Sequence, residues 1–236
     1  MSELLLNCDL GENESAEQTE RLMARVGAAN ICCGVHAGSV EKTRATLELA
    51  KRFGAFVGAH PGLAIAGGRG GELPSVAELD TLLQEQLGRF TVLAGQVGVP
   101  VHYVKLHGTL YHAVEQDDQL AEVYLNRIKS MDTSVGIFSL AGGRLAPAAR
   151  AEGIRVWEEA FADRGYTERG QLVPRDQPGA LIDRVATAVE RLRHWQQTGE
   201  MATVDGGRVA FRAETVCVHS DSPNALQLLE ALRGLI

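Results

Sequence analysis

The chain alternates short apolar runs with longer stretches of helical periodicity from one end to the other, and this alternation limits the folds open to it. Seven runs are short and continuously apolar, as expected of parallel strands buried on both faces. They are Leu4–Cys8, Ala28–Cys33, Ala55–Ala59, His102–Lys105, Val135–Ser139, Val156–Ala160 and Thr215–Val218. The stretches between them repeat apolar residues at three- and four-residue steps, which predicts helices. This order favours a parallel sheet with helices packed outside it.

The clearest predicted helix spans Ser75–Val97, where Ser75 and Glu78 have the pattern of a capping box. The other predicted helices are Ala16–Val26, Val40–Phe53, Asp118–Ser130, Ala180–Thr198 and Asn224–Leu235. One segment breaks the alternation, because Met201–Ala213 reads as two short strands joined by Asp-Gly-Gly. We interpret it as a small β-hairpin that precedes the last strand of the sheet.

The length of 236 residues suits one β/α barrel, a fold that typically needs about 250. We therefore predict a single α/β domain over residues 1–236 with about seven parallel strands. The pattern alone leaves two arrangements open, a closed barrel and an open doubly wound sheet. In both, function is carried by side chains at the carboxyl ends of the strands.

Charge and cysteine content exclude several kinds of partner and site. The net charge is −7 and no segment is rich in Lys and Arg, which argues against binding to nucleic acid or an anionic membrane. The four cysteines (Cys8, Cys32, Cys33 and Cys217) form no CxxC pair, and we interpret them as buried free thiols. The first ten residues lack a basic leader and a long apolar segment, so a cytoplasmic location is expected.

Polar side chains gather just past the predicted strand ends. Four of the seven histidines stand there, and three of these four have a glycine within two residues. The histidines are His36, His60, His107 and His219, and the charged residues beside them are Asp9, Glu12, Lys105, Glu159, Asp163, Arg164 and Asp221. Any one of these alone is typical of a structural residue. Their convergence on one rim favours general acid–base chemistry or metal ligation.

Several familiar catalytic motifs are absent from the sequence. No Gly-Lys dipeptide occurs, which excludes a P-loop, and neither GxSxG nor HExxH is present. Covalent catalysis by serine is therefore unsupported. A Cys33 nucleophile beside His36 remains an alternative, although a reactive thiolate needs a partly exposed, electropositive setting.

The strand ends also carry longer motifs. These are NCDLGE (7–12), ANICCGVHAG (29–38), GAHPG (58–62), VKLHGTLY (104–111), EAFADRGY (159–166), GQLVPR (170–175) and CVHSD (217–221). Together, and in this order, they resemble the lactam-utilisation (LamB/YcsF) family over essentially the whole chain. The resemblance implies a β/α barrel of the glycoside hydrolase/deacetylase type, and so it favours closure of the sheet.

The same resemblance implies a reaction, the ATP-dependent hydrolysis of the lactam 5-oxo-L-proline to L-glutamate. ATP would be a co-substrate, and 5-oxoprolinase subunits B and C would be partners. The family's motif positions fall on Asp9, Glu12, Asn30, His36, His60, Lys105, His107, Tyr111, Glu159, Asp163, Arg164, Tyr166, Arg175, His219 and Asp221. The catalytic candidates among them are Asp9, His36, His60, Lys105, His107 and His219. The substrate-binding candidates are Glu12, Asn30, Tyr111, Glu159, Asp163, Arg164 and Asp221.

The sequence departs from the family pattern on the loops that face the substrate. Ser39 stands where the family has an acidic residue, Leu106 replaces a proline, and Ser220 replaces a glycine. The segments after DLGE and after HPG also look short. These changes spare the strand ends, so they leave the fold prediction intact and the exact substrate open.

The expected mechanism assigns separate roles to the residues at the strand ends. A water molecule would be positioned and deprotonated by Asp9, His36, His60 or His219. Lys105 and Arg164 would balance the charge of the substrate carboxylate or phosphoryl group, and Glu159 or Asp163 would orient them. No tightly bound metal is expected, because no HxH or HxxxH pair pre-arranges ligands.

Lys105 closes an apolar strand, so its ammonium needs an anionic neighbour, for which Asp9, Glu159 or a bound anion are the candidates. We expect Lys105→Met to lower turnover with the partner subunits by orders of magnitude, while thermal stability changes little or even rises. Two other functions remain open. One is a metal-dependent deacetylase or amidohydrolase that acts alone, with Asp9, His36 and His60 as ligands. The other is a non-catalytic subunit that binds a metabolite.

Overall fold

Seven parallel strands close into a barrel in the computed structural model, which describes residues 4–236. The strands are β1 (Leu5–Leu10), β2 (Ala28–Cys32), β3 (Phe56–His60), β4 (Tyr103–Val104), β5 (Gly136–Leu140), β6 (Val156–Phe161), β7 (Glu200–Ala202), β8 (Arg208–Ala210) and β9 (Thr215–Val218). Around the barrel the order is β1-β2-β3-β4-β5-β6-β9, and β9 pairs with β1 to close it. The predicted parallel barrel is confirmed, and the open sheet is excluded. The first three residues of the predicted domain lie outside the described residues.

Helices follow the strands on the outside of the barrel. They are α1 (Ala16–Met23), α2 (Val40–Phe53), α3 (Val76–Val97), α4 (Gly108–Gln116), α5 (Asp118–Lys129), α6 (Leu145–Ala151), α7 (Val185–Thr198) and α8 (Ala225–Arg233). The predicted capping box is present, since the Ser75 hydroxyl accepts from the Glu78 amide and the Glu78 carboxylate accepts from the Ser75 amide. Within residues 4–236, no helix combines the length and apolar composition that a membrane crossing requires.

The prediction that a helix starts at Ala180 is wrong, because α7 starts at Val185. The Ala180 carbonyl accepts hydrogen bonds from the Gly165 amide and from Arg164 Nε, each at 3.0 Å, which ties this segment to the loop after β6. Two helices, α4 and α6, were not predicted. The proline inside α6, Pro147, lies in its first turn, where the missing N–H has no helical partner to lose.

The predicted hairpin is confirmed as β7 and β8, an antiparallel pair in which Met201 lies opposite Val209. It lies outside the barrel, between α7 and β9.

Aromatic packing fills the barrel interior at the level of β4 and β5. The rings of Tyr103 and Phe138 stack with centroids 3.7 Å apart. Gly58 on β3 permits this packing, since a Cβ there would collide with the Tyr103 ring. The barrel is therefore a packed core and not a pore, and the polar strand ends lie above it.

Candidate functional site

The inner face of β1 supplies the base of the site. Asn7 and Asp9 are two residues apart and point to the same face, and the strand register places Asn30 of β2 opposite Asp9. Asn30 Nδ2 donates to Asn7 Oδ1 and Asp9 Oδ1, both at 2.7 Å, while the Tyr103 hydroxyl donates to Asn30 Oδ1 at 2.6 Å. Both ends of the Asn30 amide are thus occupied. These contacts make Asn30 a residue that positions Asp9, and its expected contact with substrate stays a prediction.

Lys105 follows β4, and its side chain is 2% exposed. Its ammonium lies 3.1 Å from Asp9 Oδ1 and 2.9 Å from Glu159 Oε1, so both predicted anionic neighbours are present. Burial lowers the pKa of Lys105, but Asp9 and the other acidic groups around it raise that pKa by more, to well above its ordinary value. Lys105 is therefore a buried cation fixed between two carboxylates.

Glu159 on β6 is fully buried and held by three donors. Its Oε1 accepts from Lys105 and from Asn7 Nδ2, and its Oε2 accepts from the Tyr111 hydroxyl at 2.9 Å. These partners use both carboxylate oxygens, and the expected contact of Glu159 with substrate stays a prediction. Tyr111 has donated its hydroxyl hydrogen to Glu159, so it offers the site mainly its ring.

His219 and Asp163 form a dyad. Asp163 is buried in the loop after β6, and its oxygens lie 3.0 and 3.1 Å from His219 Nδ1. It also accepts from the His219 amide at 3.0 Å, which fixes both the backbone and the ring of that residue. Burial raises the pKa of Asp163, but His219 lowers it by more, so Asp163 stays ionised near neutral pH. His219 Nε2 is left facing Asp9, with Oδ2 at 3.9 Å, as the arrangement of an oriented general base requires.

A second group of side chains, which we call the histidine cluster, consists of Glu12, His36, His60 and His107. Glu12 Oε1 lies 3.1 Å from His36 Nε2 and 3.2 Å from His107 Nδ1, and His60 Nε2 lies 2.9 Å from His107 Nδ1. The rings of His36 and His107 stack with centroids 3.9 Å apart. Burial raises the pKa of Glu12, but the imidazoles of His107 and His36 beside it lower it by more, to well below its usual range. Burial lowers the pKa of His60 to about 4.

Two glycines allow the histidine cluster to pack this closely. A Cβ at Gly62 would lie 2.5 Å from His36 Nδ1, and one at Gly68 would lie 2.6 Å from His107 Cδ2. The HPG motif after β3 therefore has a steric role, because its glycine makes room for an imidazole from the loop after β2.

A cavity of about 440 Å³ opens above these groups, a volume typical of small-molecule sites. Seven of the predicted site residues line it, namely Asp9, His60, Lys105, His107, Tyr111, Arg164 and His219. The other six do not: Glu12, Asn30, His36, Glu159 and Asp163 lie behind the lining residues and hold them in place, and Asp221 lies at the mouth.

Arginines surround the mouth of the cavity. The Asp221 carboxylate lies 2.9 Å from both Arg69 Nη1 and Arg175 Nη1, and all three side chains are partly exposed. Arg164 behaves differently, since its Nε and Nη2 donate to the carbonyls of Ala180 and Val173. Asp163 faces His219, so the expected orientation of Arg164 by an acid is wrong. Burial lowers the pKa of Arg164 to about 10, which leaves it charged.

A family model matches the sequence over residues 4–236, and its description reads LamB/YcsF family. The chain belongs to the LamB/YcsF family. Two relatives, both named as the A subunit of 5-oxoprolinase, come from Syntrophobacter fumaroxidans, at 37% identity, and Azorhizobium caulinodans, at 38%. In each case the match covers 97% of this chain and 92% of the relative.

A solved structure also matches this LamB/YcsF chain over nearly its full length. The lactam utilization protein of Thermus thermophilus matches with a TM-score of 0.88 and 33% identity, over 99% of this chain and 97% of that one. A family 4 carbohydrate esterase from Streptomyces lividans matches with a TM-score of 0.50 and 10% identity, over 98% and 88%. The second likeness shows the fold alone, and it agrees with the expected deacetylase-type barrel.

Some residues of this LamB/YcsF site were not predicted. Asn7 could have been found, because it stands two positions before Asp9 and so shares its face of β1. His112 lines the cavity from α4, and burial lowers its pKa to about 4. Because that helix was not predicted, no sequence signal pointed to it. Cys33 is buried and its pKa is raised by burial, which argues against the alternative of a thiolate nucleophile.

Proposed function

We propose that this chain is the A subunit of an ATP-dependent 5-oxoprolinase, which opens the lactam of 5-oxo-L-proline to L-glutamate together with subunits B and C. The observation that carries the proposal is the match to relatives of that name over nearly the full length of both chains. A cavity with an oriented His219–Asp163 dyad at its base gives the proposal a chemical site.

The chemistry follows from the weakness of a lactam as an electrophile, since its nitrogen lone pair is delocalised into the carbonyl. In our proposal a partner protein transfers the γ-phosphoryl group of ATP to the lactam oxygen, with release of ADP. Water then adds to the ring carbon and gives a proton to His219. The carbon–nitrogen bond breaks as the ring nitrogen takes up a proton, and a second water displaces phosphate from the resulting acyl phosphate.

The geometry supports specific roles for three groups of residues in this reaction. His219 takes the proton from water, because Asp163 holds its Nδ1 and leaves Nε2 towards the cavity. Arg175 and Arg69 at the mouth receive the substrate carboxylate or the phosphoryl group, exchanging their contact with Asp221 for the ligand. Lys105, already paired with two carboxylates, holds Asp9 ionised at the cavity floor.

The test is release of L-glutamate from 5-oxo-L-proline and ATP, with and without subunits B and C. We expect turnover only with the partners, and a loss of about a hundredfold or more in His219→Gln. His194→Gln, on α7 outside the cavity, is the matched control and should keep full turnover. Equal turnover by the two variants would exclude His219 as the base.

The same assay separates the remaining alternatives. Amide hydrolysis by the chain alone, without ATP, would favour a stand-alone deacetylase or amidohydrolase. Binding of 5-oxo-L-proline without turnover, even with subunits B and C present, would favour a non-catalytic role.

We also propose that the reaction takes place in the cytoplasm, where ATP is plentiful and free thiols such as the buried Cys8 and Cys217 stay reduced.

A further inference from the structure

The outward nitrogens of two rings in the histidine cluster are held by backbone carbonyls. His60 Nδ1 lies 2.8 Å from the Lys105 carbonyl, and His107 Nε2 lies 3.0 Å from the Gly67 carbonyl. A carbonyl oxygen only accepts hydrogen bonds, so each of these nitrogens carries the hydrogen and donates it. A neutral imidazole has one N–H, and therefore the opposite nitrogen of each ring presents a lone pair.

Those two lone pairs point at each other and at carboxylates. His60 Nε2 and His107 Nδ1 are 2.9 Å apart, with Glu12 Oε1 at 3.8 and 3.2 Å from them, respectively. Asp9 Oδ2 lies 3.5 Å from His60 Nε2 as well. Acceptors at such distances repel one another unless a cation lies between them. One proton on one ring would bridge a single pair of these acceptors and leave the others opposed.

The distances suit a metal ion better than a proton. In a tetrahedral site with metal–nitrogen bonds of about 2.0–2.1 Å, neighbouring ligand atoms are about 3.4 Å apart. Four of the six separations among these ligand atoms, 2.9, 3.1, 3.2 and 3.8 Å, lie around that value. All four ligand atoms of the cluster lie within 4.8 Å of one another. Metal-bound histidines also commonly donate their other N–H to a carbonyl, as His60 and His107 do.

We infer that the histidine cluster binds one divalent transition-metal ion of the zinc type through Glu12 Oε1, His60 Nε2, His107 Nδ1 and His36 Nε2, with the His36 ring turning out of its stack on His107 as the ion binds. Three imidazoles and one carboxylate suit zinc and its neighbours, whereas magnesium and calcium favour oxygen ligands alone. The absence of HxH and HxxxH pairs, on which the opposite expectation was based, carries no weight here. The four ligands come from the ends of four different strands, β1 to β4.

Four protein ligands make a closed site, which is the pattern of structural zinc sites. The ion would tie together the ends of four consecutive strands directly behind the cavity. It would also fix His60, whose Nε2 faces Asp9 on the cavity floor. This inference concerns metal binding alone, so it holds or fails independently of the proposed 5-oxoprolinase activity.

The test uses the whole chain, purified without a metal-affinity tag, stripped with a chelator and titrated with Zn²⁺ against a chromophoric competitor. We expect about one ion per chain, and with Co²⁺ the strong visible absorption of a four-coordinate site. The double variant His36→Gln/His107→Gln should bind more than about a hundredfold more weakly, because even supporting residues of metal sites change affinity by tenfold to a hundredfold. Circular dichroism checks that it folds, and Glu12→Gln replaces it if it does not.

His219→Gln is the matched control, since Asp9, Cys217 and His219 form a separate group of possible ligands. It should bind Zn²⁺ as tightly as the unmodified chain. The inference is overturned if the unmodified chain takes up no stoichiometric metal, which would leave a proton network as the account of the cluster. It is equally overturned by a six-coordinate cobalt spectrum, by undiminished binding in the cluster variants, or by loss of binding in His219→Gln.

Discussion

Replacing Lys105 with Met removes the ammonium that contacts two buried carboxylates, Asp9 and Glu159. Removal of one partner from a buried ion pair typically costs about 3–5 kcal/mol, because a charge is left without a counter-charge. Here Asn7, Asn30 and Tyr111 still donate to the carboxylates, so we expect a loss near the lower end, about 3 kcal/mol. For a chain of 236 residues this lowers Tm by about 6–12 °C. From the sequence alone, little change or even a rise in stability is expected, because the two buried carboxylate contacts of Lys105 are not visible there.

The loss should depend on pH in a defined direction. Burial raises the pKa of Asp9, but the charges around it, Lys105 first, lower it by more, so its pKa in the folded chain lies well below the usual range. The resulting stability is present above the unfolded pKa of about 3.9 and disappears as pH falls through the folded value. Without Lys105, burial acts with less opposition and the folded pKa rises. The variant then gains stability as pH falls and Asp9 takes up a proton, so its deficit is largest at neutral pH and shrinks towards acid.

Urea unfolding at neutral pH and at about pH 5, followed by tryptophan fluorescence, measures both effects. Lys129→Met is the matched control, because Lys129 pairs with Glu152 on the surface and should contribute less than about 0.5 kcal/mol. The double variant Lys105→Met/Asp9→Asn should regain part of the loss, since it removes an unpaired charge. A loss below about 1 kcal/mol at neutral pH, or an equal loss at both pH values, would refute this account of Lys105.

Three further predictions follow from distances in the site. Asp163→Asn should lower kcat by about a hundredfold or more with little change in KM, as steady-state assays with subunits B and C would show. The one oxygen of the amide stays with the His219 backbone N–H and its NH2 group faces Nδ1, which places the ring hydrogen on Nε2 and removes the base. Arg175→Gln should raise KM for 5-oxo-L-proline by about tenfold or more, while Arg193→Gln on α7 should leave KM unchanged. Gly62→Ala should destabilise the chain by about 1–3 kcal/mol in urea unfolding, because its Cβ would meet His36. Gly88→Ala in α3, where a Cβ meets nothing within 4 Å, should be neutral or stabilising.

The order of strands and helices was predictable because each buried parallel strand can be recognised in the local sequence as a short apolar run. Closure of the barrel was not, since it depends on β9 pairing with both β1 and β6, residues far apart in the chain. The start of α7 was misplaced for a related reason. Residues 180–184 have a helical composition, but the Ala180 carbonyl is taken by Arg164 and Gly165.

For the site, the sequence predicted which residues converge but not which pairs form. Strand ends meet on one rim in any parallel barrel, so the gathering of His60, Lys105 and His219 could be foreseen. Their partners depend on side-chain direction and on contacts between distant residues, such as Asn7 with Glu159, 152 positions apart. The same limit explains why residues expected to touch substrate, among them Asn30 and Glu159, lie one layer behind the cavity wall.

Buried charges at the cavity floor bear on the proposed metal in the histidine cluster. Asp9, Glu12 and Glu159 are all buried carboxylates, and Lys105 is the permanent cation that contacts two of them. If all three are ionised, one ammonium leaves two negative charges to be balanced in a region of low dielectric, which is costly. Glu12 has imidazoles as its neighbours. A divalent cation in the histidine cluster would supply the two missing positive charges, whereas a protonated imidazole supplies only one.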